Sequence, residues 1–155
     1  MQLAELVGSW SKDRSTKVGC VIVGTDHEVR AIGFNGFPRF VDDDIDERHE
    51  RPAKYAWTEH AERNAIYSAV RIGVALKGCT MYLPWFPCMD CARAIVQSGI
   101  SRLVALHPNL EDPRWGQDFR SAIVLLNEAR VELQWFVEED TLRTDRPTDG
   151  STTAV

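Results

Sequence analysis

Two short runs carry residue types that suit metal-assisted hydrolysis: His60-Ala61-Glu62 and Pro87-Cys88-Met89-Asp90-Cys91. A histidine and two cysteine thiolates are good zinc ligands, and cysteines three apart face the same side of a helix. Both runs fall where a helix is expected to start. Unpaired N–H groups and the positive end of the helix dipole favour thiolate over thiol there. Pro87 suits a helix start, where its missing N–H costs nothing. Three protein ligands leave a fourth position for water, which separates a catalytic zinc from a closed structural one. Glu62 stands two residues from His60, within reach of that water. Zinc brings the pKa of bound water toward about 7, and a carboxylate beside it can carry the proton.

Other readings explain less. A redox Cys-x-x-Cys leaves His60 and Glu62 without a task. A structural zinc site needs a fourth ligand, and Cys79, His49 and His107 all lie off zinc-finger spacing. Twenty-eight residues separate His60 from Cys88, room for a helix, a loop and a strand that bring two helix starts together.

The elements that must do this are visible as changes of period. Leu3, Leu6 and Val7 predict an opening amphipathic helix. Val18 to Gly24 and Val29 to Phe34 predict strands joined at Thr25-Asp26-His27. Residues 35–58 are polar and interrupted by Pro38 and Pro52, a long functional loop with room for a short helix. Helices are expected over His60–Ile72, Cys88–Ser98 and Trp115–Arg130, and strands over Cys79–Leu83, Arg102–Leu106 and Val131–Phe136. On the first of those helices, Ala61, Ala65, Ile66, Ala69 and Val70 are placed on one side. Strands alternating with helices argue for an α/β domain. It is expected to span residues 1–138, followed by a polar tail over 139–155, disordered or docked on a partner subunit.

Composition narrows the setting. The chain has 155 residues, 44% of them hydrophobic, in the size range of one domain able to bury its own core. Four cysteines, two of them in the Cys-x-x-Cys run, read as a reduced cytoplasmic protein rather than a secreted disulfide scaffold. No apolar run resembles a signal peptide or spans a bilayer. A formal net charge of −5 argues against a long nucleic acid as partner, since such binding rests on Lys and Arg neutralising phosphates. A local basic pocket for one phosphate stays compatible with it.

The pattern H-x-E…P-C-x-x-C is the signature of zinc-dependent nucleobase deaminases. On His60-Ala61-Glu62-Arg63-Asn64-Ala65-Ile66 and Trp85-Phe86-Pro87-Cys88-Met89-Asp90-Cys91-Ala92, the chain resembles the cytidine and deoxycytidylate deaminase superfamily. Ser11-Lys12-Asp13, Val18 to Val23 and Gly33-Phe34-Asn35-Gly36-Phe37-Pro38 make it most similar to the deoxycytidylate branch. The resemblance covers about residues 10–106 and implies a three-layer α/β/α fold around a mixed five-stranded sheet. It also implies one catalytic Zn2+ per chain on His60, Cys88 and Cys91, Glu62 as proton shuttle, and a homo-oligomer. Asn35 would hydrogen-bond the sugar or base, though Asn-Gly is also a common turn. The Ala61 N–H would meet the base carbonyl, and Ser11, Lys12 and Ser15 would lie near a 5′-phosphate. Trp57 and then Trp115 are the leading candidates to wall the base, with Trp85 and Phe86 behind them.

Three departures bear on the substrate. Trp10 stands where many deoxycytidylate deaminases carry arginine, Arg14 replaces the usual proline, and Glu59 precedes the ligand histidine where a small or apolar residue is usual. Glu59 could select a base other than cytosine, or only form a salt bridge or cap the helix. The resemblance implies dCMP to dUMP and ammonia as the reaction, and Trp10 and Glu59 motivate a second reading. The alternative is deamination of a free base, nucleoside or other amino-heterocycle. A tRNA deaminase or an inactive zinc-stabilised module fits less well.

Overall fold

The computed structural model describes residues 1–136; the expected tail from residue 139 lies outside them. The elements run α1 (Gln2–Gly8), β1 (Gly19–Val23), β2 (Val29–Phe34), a 3₁₀ turn (Asp46–Arg48), α2 (Lys54–Trp57), α3 (Ala61–Ile72), β3 (Thr80–Leu83), α4 (Met89–Gln97), β4 (Arg102–Leu106), α5 (Gly116–Glu128) and β5 (Glu132–Phe136). The expected elements are all present, most of them one or two residues shorter. The ends are trimmed where His60, Cys88 and Trp115 act as helix caps instead of first-turn residues.

The five strands form one sheet in the order β2-β1-β3-β4-β5. β1 pairs antiparallel with β2 and β3, whereas β3, β4 and β5 are mutually parallel. The sheet is therefore mixed, as expected. The change of direction has a simple cause. β1 and β2 are joined by a tight turn, whereas α4 and α5 serve as the crossover connections that parallel strands require.

Period-2 alternation divides the core between the two faces of the sheet. Cys20 and Ile22, Met81 and Leu83, and Leu103 and Ala105 point into the main cluster with α3, α4 and α5. Val21 points the other way, where it meets Ala4 and Val7 of α1. Helices thus cover both faces, α1 one of them and α3 to α5 the other.

Two expected faces differ in detail. On α1 the buried side is Ala4, Val7 and Gly8, while Leu3 and Leu6 are exposed. A Cβ at Gly19 would sit 2.0 Å from the Ala4 carbonyl oxygen, so α1 packs too closely on β1 for leucines to fit between them. On α3, Ala61, Ala65, Ile66 and Ala69 are buried, but Val70 is exposed. At about 100° per residue it lies half a turn round from Ala61.

One close approach positions the chemistry. A Cβ at Gly33 would lie 2.3 Å from Ala65 N and 2.5 Å from the Ala61 carbonyl oxygen. Glycine there lets α3 lie directly on β2. Just beyond, Gly36 and Glu59 exchange backbone hydrogen bonds of 3.0 and 2.8 Å. That bridge ties the Asn35-Gly36 segment to the residues leading into α3, so Asn-Gly is not a two-residue hairpin turn.

Candidate active site

His60 caps α3 and Cys88 caps α4, both with extended backbone, and Cys91 lies in the first turn of α4. Asp118 of α5 accepts the Met89 N–H at 2.7 Å, which satisfies one free donor of α4 and fixes its first turn. The three donor side chains converge. His60 Nδ1 lies 3.5 Å from Cys88 Sγ and 3.5 Å from Cys91 Sγ, and all three ligand atoms fall within 4.8 Å of one another. A tetrahedral zinc, about 2.3 Å from sulfur and about 2.0 Å from nitrogen, sets sulfur and nitrogen about 3.5 Å apart. The donor set fits zinc in identity and in spacing. It is the one such His/Cys/Asp/Glu group found among the described residues.

The electrostatics are those of a ligand cluster. Cys88 is drawn down to about 4, because the Cys91 thiol donates to it and His60 stands beside it, against the cost of burial. Cys91 is pushed up by the same contact. His60 is raised, first by its contact with Cys88. Arg63, one turn into α3, pairs with Glu59 at 2.5 Å, and its charge favours thiolate at Cys91. The Arg63 Nε is the one buried side-chain nitrogen or oxygen without a hydrogen-bond partner among the described residues.

Glu62 is buried, 4% exposed, and burial is the main reason its carboxyl is raised above the usual range. A carboxylate held out of water beside a ligand cluster takes up a proton more readily than one in solution, which suits it to proton transfer. Ala61 sits in the first turn of α3, where its N–H has no intrahelical acceptor.

These groups open into a cleft of about 140 Å³. His60, Ala61, Glu62 and Cys88 form its floor, and Trp85, Phe86, Trp115 and Phe119 form an aromatic side. Phe119 packs edge-on against Phe86 (centroids 5.7 Å) and stacks with Trp115 at 6.4 Å. Such a wall suits a flat heterocycle. Asn35 lines the cleft too, with its amide held by the protein. Its Oδ1 accepts the Val18 N–H at 2.8 Å, and its Nδ2 donates to the Thr16 carbonyl at 2.8 Å and to Asp13 at 3.3 Å. One lone pair of Oδ1 remains for a ligand.

The other expected contacts lie elsewhere. Ser11 is buried, donating to the Asn35 carbonyl at 2.7 Å and accepting the Asp13 N–H at 3.1 Å; it braces the loop and does not line the cleft. Lys12 pairs with Asp43 at 2.7 Å beside a neighbouring cavity of about 240 Å³ that Trp10 also lines. Trp57 lies under the Arg48 guanidinium, 4.1 Å from its ring centre, and does not line the cleft. Glu59 is occupied by Arg63 and by the His60 N–H at 3.2 Å.

Sequence reasoning missed the rim and its support. Arg51, Tyr55 and Arg114 line the cleft. Beneath them Lys54 Nζ reaches both carboxylate oxygens of Asp13, at 2.9 and 2.7 Å, and Ser15 Oγ at 2.7 Å. Lys54 and Asp13 are both almost fully buried. A lysine in a polar loop carries no sign of burial, and only an aspartate opening a turn before Ser15 and Thr16 hinted at the hub.

Residues 1–107 match the family model described as the cytidine and deoxycytidylate deaminase zinc-binding region. An Aliivibrio fischeri protein described as an uncharacterized deaminase in the luxG 3′ region is 46% identical over 137 residues, covering 86% of this chain and 88% of that one. Human deoxycytidylate deaminase is 32% identical over 142 residues, covering 88% of this chain and 77% of its own. The crystal structure of dCMP deaminase from the cyanophage S-TIM5, in complex with dCMP and dUMP, has the same fold. It superposes with a TM-score of 0.70 at 22% identity, over 87% of this chain and 92% of that one. The ligand spacing, the buried glutamate and these likenesses agree: the chain belongs to the cytidine and deoxycytidylate deaminase zinc-binding family.

Proposed function

We propose that the protein is a zinc-dependent hydrolase that converts dCMP and water to dUMP and ammonia. The observation that carries this reading is the tetrahedral spacing of His60, Cys88 and Cys91 beside a buried Glu62 at the floor of an aromatic cleft. Relatives named deoxycytidylate deaminase support the choice of substrate. The attachment of Glu59 to Arg63 weighs against its selecting a different base.

His60, Cys88 and Cys91 would hold the metal. Bound zinc supplies a Lewis acid that makes water nucleophilic near neutral pH. Glu62 carries one proton of the attacking water to the ring nitrogen beside the amino-bearing carbon. It then carries the second, from the newly formed C–OH group, to the amine, which leaves as ammonia as the carbonyl forms. The Ala61 N–H holds the neighbouring carbonyl and so sets the orientation of the ring. The aromatic side keeps the ring flat and limits the access of other water.

The same reading places the enzyme in the cytoplasm as an assembly of identical chains. All four cysteines are free, which supports a reducing compartment. Tyr67, Val70 and Ile72 expose apolar surface on α3, which supports a subunit contact.

Zinc content and ammonia release from dCMP, deoxycytidine and cytosine test the proposal, with Glu62→Gln as control. The expected result is one zinc per chain, with turnover of dCMP. In the variant, turnover falls roughly 10²- to 10⁴-fold with zinc retained. A fully active variant, or an active protein free of metal, defeats the mechanism; faster turnover of deoxycytidine than of dCMP defeats the substrate.

A further inference from the structure

A nucleotide brings a phosphate, and a phosphate calls for cations at the cleft that no carboxylate already holds. Trp10, beside the loop over residues 12–17, is half exposed with its ring edge-on to Phe34 and offers no charge. Of the cations on residues 12–17 and close to them, Lys17 lines a separate pocket and not the cleft, and the others are paired. Lys12 pairs with Asp43, Arg14 with Asp46 at 2.7 Å, and Lys54 with Asp13, while Arg63 pairs with Glu59. Two guanidinium groups at the cleft have no carboxylate partner among the described residues: Arg51 and Arg114.

Both rest on Tyr55. Arg51 Nε donates to the Tyr55 hydroxyl at 2.6 Å, and the Arg114 guanidinium carbon lies 4.1 Å over the Tyr55 ring. Two like charges are thereby held within one side chain of each other, at the mouth of the cleft that His60 and Glu62 floor. Such a pair repels until an anion lies between its members. Each has a reason to stay in place. Arg51 precedes α2, which Lys54 anchors to Asp13. Arg114 and Trp115 donate their backbone N–H groups to Asp112 at 2.9 and 2.8 Å.

We propose that Arg51 and Arg114, braced on Tyr55, form the anion subsite that reads the substrate's 5′-phosphate. The planar guanidinium fork matches phosphate oxygens in pairs. The phosphate lies away from the reacting carbon, so its contacts act equally on bound substrate and transition state. The proposal rests on the nucleotide reading of the site, and its test is chosen to be separable from that reading.

The zinc-loaded full chain is titrated with dUMP and with deoxyuridine by calorimetry, a measurement that needs no turnover, and dCMP kinetics are run in parallel. Wild type is expected to bind dUMP more tightly than deoxyuridine. Arg51→Gln and Arg114→Gln are each expected to weaken dUMP roughly 10- to 100-fold, as for loss of a charge-assisted hydrogen bond. They should raise KM for dCMP by a similar factor, with kcat moved far less. Both side chains are exposed, so the variants should fold. Wild type that deaminates dCMP while both variants bind dUMP as tightly as before overturns the subsite and leaves the reaction standing. Weakening of dUMP by Lys12→Gln but by neither arginine variant overturns it too. If no ammonia is released from dCMP, the proposed reaction falls, and the subsite is still decided by whether dUMP binding depends on the two arginines.

Discussion

The floor of the cleft and its rim are built in different ways. The floor hangs from regular structure: His60 and Cys88 cap helices that lie on the sheet, Gly33 lets α3 touch β2, and Asp118 closes the start of α4. The part of the rim that carries Arg51 and Tyr55 has one short turn of helix and is pinned by a single buried ion pair, Lys54 with Asp13. That pair also holds Ser15 and touches the Asn35 amide. Chemistry that must be right to fractions of an ångström is placed on packed backbone. Recognition is placed on loops joined to it by one polar hub, which leaves the rim able to change while the floor does not.

The largest effect that separates the two should come from Asp13→Asn. It leaves a buried ammonium without its counter-charge, which costs about 3–5 kcal/mol in comparable buried pairs. Chemical denaturation measures the loss. Because the hub supports the rim, KM for dCMP should rise more than kcat falls, and zinc should be retained. Gly33→Ala strikes the floor instead. The added methyl group meets the backbone of α3 at 2.3 Å, and overpacking of this kind costs about 1–3 kcal/mol. Here kcat should fall more than KM rises, because His60 and Glu62 move relative to Cys88. If the two variants shift the kinetic constants in the same proportion, floor and rim are one unit and the contrast fails.

The same division decides what was legible in the sequence. His60, Glu62, Cys88 and Cys91 are readable because their relation is local: each pair lies within one helical turn of a start signal, and residue type announces the chemistry. The alternation of strands and helices is readable because apolar period survives into the packed sheet. Arg51 and Arg114 are 63 positions apart, both in irregular segments, and no period records that they meet on Tyr55. Trp57 and Ser11 show the converse. Their types suit the cleft, but the local course of the backbone turns one toward Arg48 and the other into the loop.

The smallest expected effect tests the hub through protons. Burial alone would raise the Asp13 carboxyl. Lys54, the Ser15 and Thr16 amides and the Ser15 hydroxyl outweigh that and bring it from an ordinary 3.8 to about 2. Folding therefore favours the carboxylate, and the stability it contributes is fully present above 3.8 and lost as pH falls through about 2. Asp43, Asp46 and Asp112 are lowered as well, so acid weakens wild type for several reasons at once. The Asp13→Asn variant keeps all of those groups, so the difference between the two proteins isolates Asp13. Denaturation midpoints of the pair should lie farthest apart above 3.8 and draw together toward 2. A gap that stays constant over that range would mean that the asparagine costs the fold through shape and lost hydrogen bonds, and that the charge on Asp13 is not what holds the rim.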